Sequence, residues 1–114
     1  MKDAILNRFL KYISIDTQSD ENSETTPSTK HQFDLAHVLH DELIELGLQN
    51  VSLDENGYIM ATLPANTDKK IPVIGFISHM DTSPDMPGDA STACMIENYQ
   101  GEHVVLNAEG VTLS

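Results

Sequence analysis

The sequence contains few of the residues on which some specialised classes of protein depend. Among its 114 residues there is one cysteine, Cys94, no tryptophan, and only three tyrosines and three phenylalanines. A single cysteine excludes an internal disulfide and a thiolate-rich zinc site, and it suits a reducing compartment. The few aromatic side chains argue against a specialised stacking surface. We therefore expect a globular protein of the cytoplasm.

Basic residues are also scarce. Six lysines and arginines stand against 18 aspartates and glutamates, which gives a formal net charge of -12. Such a surface repels phosphate backbones and anionic lipid headgroups, so nucleic acid and membrane partners are disfavoured. The first apolar residues are interrupted by Asn7, Arg8 and Lys11, which is typical neither of a signal peptide nor of a membrane span. The acidic excess is interpreted as a solubility feature.

Two stretches have helical periodicity. Apolar residues at helical spacing predict an amphipathic helix over about residues 2 to 14, and the polar stretch 16 to 29 predicts an exposed connection. A second helix is expected to begin near Thr29, which has the capping-box spacing to Gln32, and to end at Gly47. Its predicted buried stripe consists of Leu35, Ala36, Leu39, Leu43 and Leu46.

The remaining pattern favours strands. Asn56-Gly57 between two β-prone runs predicts a hairpin over residues 51 to 63. The almost continuous apolar run at residues 72 to 78 predicts a central strand covered on both faces, and residues 102 to 106 predict a short strand. We therefore expect an α/β fold with two helices packed on a mixed sheet, incomplete in this chain.

His79 and Asp81 follow the predicted central strand directly. Open α/β sheets bind ligands at the carboxyl ends of their strands. In an extended chain the two side chains point to the same face, so the carboxylate of Asp81 is able to orient the imidazole of His79 for metal binding. A His-x-Asp pair alone is a weak signal, because a histidine at a strand end is more often only hydrogen-bonded.

Other histidine, aspartate and cysteine residues are predicted to have no part in a functional site. His37 and His40 lie one turn apart on the second helix, but away from its apolar stripe or at its edge, and are expected to be solvated. Asp85 and Asp89 lie in a loop rich in proline and glycine and are expected to form turns. Cys94 has no basic neighbour that would activate a thiol. The motifs of serine hydrolases, nucleotide hydrolases and dehydrogenases are absent from the sequence.

Four stretches together resemble one family in the same order. They are FLKYISIDTQSDE, TPSTKHQFDLAHVLHDELIELGL, ENGYIMATLPAN and PVIGFISHMDTSPD, with IENYQGEHVVLN similar as well. They resemble the peptidase T group of the M20 metallopeptidases, and the resemblance covers essentially the whole chain. It implies a two-zinc aminopeptidase of the cytoplasm that removes the amino-terminal residue from tripeptides.

The resemblance also implies roles for two residues. The position of the family's zinc histidine is His79, and that of its catalytic aspartate, which orients the histidine, is Asp81. Residues 1 to 114 would form the amino-terminal part of the catalytic domain, without the inserted smaller domain or the other ligands. This chain alone is therefore expected to be inactive, and either marginally stable or associated through unpaired sheet edges. Two alternatives stay open: another M20 hydrolase, such as a dipeptidase, carboxypeptidase or deacylase, or a non-catalytic acidic module that folds or binds a partner.

Overall fold

Two helices and two small antiparallel sheets make up the regular structure. The computed structural model describes residues 2–88, 93–106 and 110–113. The elements in chain order are α1 Lys2–Ile13, α2 Gln32–Glu45, β1 Gln49–Leu53, β2 Ile59–Thr62, β3 Val104–Val105 and β4 Thr112–Leu113. β1 pairs with β2 and β3 with β4. The mixture of helix and strand agrees with the predicted α/β class, but the strands of the described residues form two separate antiparallel pairs instead of one mixed sheet.

Helix α1 forms where its periodicity predicts it. Asp3 in its first turn and Lys11 in its last turn complement the helix dipole. None of its described residues is buried, however, and Ile5 and Phe9 lie largely exposed on the apolar face. Periodicity thus predicted the helix correctly but not a covering for its apolar side.

Glu42 connects α1 to α2. Its carboxylate lies 2.7 Å from the Lys11 ammonium and 3.3 Å from Arg8 Nε, and it accepts a hydrogen bond from the Tyr12 hydroxyl. The hydrogen bonds from Lys11 and then Tyr12 lower the pKa of Glu42. Burial, followed by the hydrogen bond to Glu42, raises the pKa of Tyr12 to about 12. Polar contacts therefore hold the two helices together where apolar burial is slight.

The start of α2 differs from the prediction. The helix begins at Gln32, and His31 at the N-cap makes no capping side-chain bond. The Thr29 hydroxyl instead donates to the Gln18 carbonyl at 2.8 Å and accepts from the Gln32 side-chain amide at 2.9 Å. The predicted capping box is wrong because Thr29 uses its hydroxyl for a contact with a distant segment.

The end of α2 is the predicted glycine stop. Gly47 has a φ of 79°, and its N–H donates to the Ile44 carbonyl while the Leu48 N–H donates to the Leu43 carbonyl. These two bonds define a Schellman motif, in which a residue without Cβ adopts the left-handed conformation at little cost. Leu46 is at the C-cap and exposed, so its place in the predicted stripe is wrong. Within the stripe Leu35 and Ala36 are buried, and Leu39 and Leu43 are half-buried.

The predicted hairpin is present, and α2 packs against both of its strands. Its loop is longer than a two-residue Asn-Gly turn. Asp54 and Tyr58 pair through the backbone, and only Gly57 of the Asn-Gly pair has a positive φ, of 82°. A side-chain oxygen of Asp54 accepts the N–H groups of Asn56 and Tyr58 at 3.0 and 2.8 Å. The loop is therefore a three-residue connection with glycine in the left-handed position.

The predicted central strand at residues 72 to 78, here named the apolar run, is the main error. The structure assigns no strand to it. Val73, Phe76 and Ile77 are 98%, 95% and 101% exposed. A strand needs neighbouring backbone to accept and donate its hydrogen bonds, and the described strands pair only among themselves. The radius of gyration of 17.8 Å, against about 13 Å for a compact domain of this length, reflects the same lack of covering.

The predicted short strand near residues 102 to 106 is confirmed. Val104–Val105 pairs with Thr112–Leu113, and the Leu106 N–H donates to the Val111 carbonyl at 2.7 Å. This second sheet is small, since each of its strands has two residues.

Candidate functional site

His79 and Asp81 lie at the carboxyl end of the apolar run. His79 Nδ1 is 3.1 Å from a carboxylate oxygen of Asp81 and 3.0 Å from its backbone carbonyl oxygen. The His79 side chain is 84% exposed and that of Asp81 47%. Because the run is not a strand in this structure, the pair terminates an extended segment, and its local geometry comes from its own sequence and from the loop that follows.

The contact determines which imidazole nitrogen is available. A carbonyl oxygen accepts hydrogen bonds and cannot donate them, so His79 Nδ1 carries the proton in the neutral ring. Nε2 then has its lone pair free and directed away from Asp81. This is the arrangement of a metal-binding histidine, in which a carboxylate or carbonyl holds the ring nitrogen that does not bind the metal.

The pair fits part of a zinc site. An exposed imidazole with a free Nε2 is a suitable zinc ligand, and Asp81 is placed as its orienting partner. A structural or catalytic zinc site needs at least three protein ligands. Among residues 2–88, 93–106 and 110–113, no three side chains of histidine, cysteine, aspartate or glutamate are grouped closely enough to hold a metal ion. The roles of His79 as ligand and Asp81 as catalytic residue stay predictions.

A segment from the start of the chain holds the loop that follows Asp81. The Thr82 N–H donates to the Thr17 carbonyl at 3.1 Å, and the Ser19 N–H and hydroxyl both donate to the Thr82 carbonyl at 2.9 Å. Gln18 and Thr82 form an isolated parallel bridge. Thr17 is 1% exposed. The first part of the predicted exposed connection at residues 16 to 29 is therefore an anchor for this loop, in which Thr17 is buried and its neighbours are half-buried.

Sequence reasoning missed this anchor for a physical reason. Its residues are small and polar, and they satisfy backbone groups in the same way as loop residues do. The only available signal was the alternation of Ile15 and Thr17, which are half-buried and buried respectively, and two positions are too few to establish a period.

The other candidates lie apart from this pair. His37 is exposed, with its ring 6.2 Å from that of Phe33, whereas His40 is half-buried and contacts the Asp41 carboxylate at 3.1 Å. Asp85 accepts the Ser83 hydroxyl at 2.7 Å, as expected of a turn residue. Cys94 is free and exposed. Asp89 lies outside the described residues.

An open cavity of about 400 Å³ lies between α2 and the hairpin loop. Its lining consists of Phe33, His37, His40, Leu53, Asp54 and Glu55. It shares no residue with the His79 pair. One carboxylate oxygen of Asp54 is already used by two backbone N–H groups of the hairpin loop, so the cavity is interpreted as the outer edge of the helix and hairpin packing.

Comparison with curated proteins matches this chain repeatedly to proteins named peptidase T. No protein-family model matches the chain. Peptidase T of Alkaliphilus oremlandii is 60% identical over 107 residues, 92% of this chain and 26% of that protein. Peptidase T of Geobacillus sp. strain WCH70 is 54% identical over 94% of this chain and 26% of that protein. Peptidase T of Geobacillus kaustophilus is 50% identical over 100% of this chain and 28% of that protein.

These matches cover nearly every residue of the chain, whereas the chain spans only about a quarter of the length of the curated relatives. The described part of the chain has no helix of the length and hydrophobicity that crossing a membrane requires. By sequence the chain therefore matches a segment of about a quarter of the length of proteins named peptidase T, at 50% to 60% identity.

Proposed function

We propose that this segment belongs to a cytoplasmic, zinc-dependent M20 aminopeptidase that releases the amino-terminal residue from tripeptides. In this proposal residues 1 to 114 are the amino-terminal part of its catalytic domain. The observation that carries the proposal is the His79 pair, in which Asp81 holds Nδ1 at 3.0 and 3.1 Å and the lone pair of the neutral ring lies on Nε2. The similarity to proteins named peptidase T supports a peptidase as the enzyme class.

In this site His79 is a zinc ligand and Asp81 its orienting residue. A zinc ion, when bound, lowers the pKa of a water molecule and polarises the carbonyl of the scissile peptide bond. Asp81 holds the proton of His79 on Nδ1, so that Nε2 presents its lone pair without a change of tautomer. The family resemblance implies two zinc ions per full-length chain, and the remaining ligands are proposed to come from other parts of that protein.

The charge of the segment is compatible with this function. With a formal net charge of -12, the surface repels nucleic acids and anionic membranes, and peptide substrates are the proposed partners. Zinc, as a cation, is attracted by the same field. The 114-residue chain by itself supplies one imidazole with an orienting carboxylate and is expected to show no peptidase activity.

The test uses a peptidase-length protein that carries this sequence. We expect about two zinc ions per chain and release of an amino acid from tripeptides. His79→Ala should lower the activity by about a hundredfold or more and reduce the zinc content, because a metal ligand is lost. His37→Ala is the matched control, since His37 is an exposed histidine on α2, and its activity should equal that of the unaltered protein.

Each outcome discriminates between functions. Faster hydrolysis of dipeptides or of acylated amino acids than of tripeptides would favour another M20 hydrolase. Absence of bound zinc and of hydrolysis, in both the 114-residue chain and the peptidase-length protein, would favour a non-catalytic module. Equal losses in His79→Ala and His37→Ala would contradict the assigned role of His79.

A further inference from the structure

Gln18 attaches the loop after Asp81 to the start of the chain. Its side-chain nitrogen donates to the carbonyl of Pro84 at 2.8 Å and to that of Met86 at 2.9 Å. Both carbonyls lie within five residues of Asp81 along the chain, whereas Gln18 precedes them by 66 and 68 positions. One primary amide has two N–H groups, so this single side chain is able to donate to both carbonyl groups of the loop.

The backbone of Gln18 is held as firmly as its side chain. Its N–H donates to Asp16 Oδ1 at 2.9 Å, and its carbonyl accepts from the Thr29 hydroxyl at 2.8 Å and contacts His31 Nε2 at 2.9 Å. The side-chain amide therefore projects from a fixed backbone. Because both its backbone and its side chain are hydrogen-bonded, Gln18 restrains the positions of the two loop carbonyls that its amide binds.

The loop also lies closely against this segment. A Cβ atom added at Gly88 would fall 1.9 Å from Asp16 Oδ1 and 3.0 Å from Gln18 Cβ. A separation of 1.9 Å does not occur between real atoms, so any larger residue at position 88 would force the Asp16 carboxylate or the loop to move. The close contact and the two amide hydrogen bonds are independent observations of the same docking of residues 82 to 88 on residues 16 to 19.

We propose that Gln18 is a positioning residue for the metal pair, which holds residues 82 to 86 so that Asp81 keeps its place against the ring of His79. This inference rests on the proposed function, because it assigns Gln18 a role toward the zinc ligand. Asp81 is adjacent to Thr82, the residue bridged to Gln18. Loosening the loop gives the Asp81 carboxylate more conformations, and a histidine whose orienting partner moves binds metal less tightly.

The test compares Gln18→Glu with Gln100→Glu in the peptidase-length protein. Both substitutions keep the shape and add the same charge, and the Gln100 amide also donates to a backbone carbonyl, that of Asn98 two residues away. Gln18→Glu replaces both donors by acceptors that face the carbonyls of Pro84 and Met86. Gln18→Met, which removes the donors without a charge, is the second variant.

Two readouts besides activity are measured. Hydrogen exchange at the amides of Ser19 and Thr82 should be about tenfold faster in both Gln18 variants than in Gln100→Glu. The zinc dissociation constant, determined by competition with a chelator, should rise about tenfold. Unchanged hydrogen exchange in α2 and the hairpin, together with an unchanged circular dichroism spectrum of the whole protein, would show that these variants are folded.

The outcomes separate this inference from the proposed function. Failure of the unaltered protein to bind zinc would overturn both. Zinc binding by the unaltered protein, with equal affinity in Gln18→Glu and Gln100→Glu, would overturn the role of Gln18 alone. Faster loop exchange without loss of zinc affinity would also overturn it, since Gln18 would then stabilise the loop without positioning the metal pair.

Discussion

The unit formed by α2 and the hairpin differs sharply from the apolar run. In the first, modest apolar residues have partners: α2 packs on β1 and β2, and Leu35 and Ala36 are buried. In the second, a more hydrophobic sequence is almost fully exposed. Burial therefore follows the availability of a covering element more closely than it follows the hydrophobicity of the segment itself.

This comparison also separates two kinds of site residue. The His79 pair forms through a contact between residues two positions apart, so it needs no sheet to bring it together. The loop after it needs the distant segment at residues 16 to 19. The contact between His79 and Asp81 therefore forms even though the strand predicted to position it is absent from the described structure.

The largest expected effect comes from truncating a buried side chain in the unit formed by α2 and the hairpin. Leu35→Ala should lower the free energy of unfolding by about 2 to 3 kcal/mol, because it removes buried methyl groups from the contact between α2 and the hairpin. Ile77→Ala removes a comparable apolar side chain from the apolar run and should change the free energy of unfolding by less than about 0.5 kcal/mol. Urea unfolding of the 114-residue chain, followed by circular dichroism, measures both. Equal losses would show that the run is covered in solution.

A smaller effect is expected from the polar link between the helices. Glu42→Gln should destabilise the chain by about 1.5 kcal/mol at pH 7, since the carboxylate accepts two hydrogen bonds but its Arg8 and Lys11 partners are partly exposed. The pKa of Glu42 is lowered from its ordinary value of 4.5 in the folded state. The stabilisation is therefore present above about pH 4.5 and is lost as the pH falls through the folded pKa.

The pH dependence provides the check on this assignment. The difference in unfolding free energy between the unaltered chain and Glu42→Gln should shrink as the pH is lowered from 7 to 3. A difference that stays constant over this interval would mean that the ionised carboxylate does not hold α1. Arg8→Met and Lys11→Met, measured at pH 7, show how the effect divides between the two cations.

The smallest expected effect is at the glycines of the two regions. Gly47→Ala forces a left-handed φ on a residue with a Cβ and should cost about 1 kcal/mol. Gly75 in the apolar run has nothing within 4 Å of an added Cβ and no left-handed φ. Gly75→Ala should therefore leave stability unchanged or raise it by about 0.5 kcal/mol. The same urea titration measures both changes. A loss of unfolding free energy in Gly75→Ala as large as that in Gly47→Ala would contradict the expected difference between the two regions.

Local patterns predicted those features that depend on neighbouring residues. The extent of α1, the stop at Gly47, the hairpin and the contact of Asp81 with His79 all involve short sequence separations. The features that failed depend on distant partners. Thr29 was expected to cap a helix and instead binds Gln18, and the apolar run was expected to be covered. A single sequence contains no direct signal for either partner.

The bridge between residues 18 and 82 has a consequence for the order of folding. The Ser19 to Thr82 contact joins residues 63 positions apart, whereas the Asp54 to Tyr58 contact of the hairpin joins residues 4 apart. Closing the longer loop costs about 2 kcal/mol more chain entropy. Contacts of high sequence separation form slowly. The hairpin and α2 are thus expected to fold first, and the His79 loop reaches its final geometry only when the two distant segments meet.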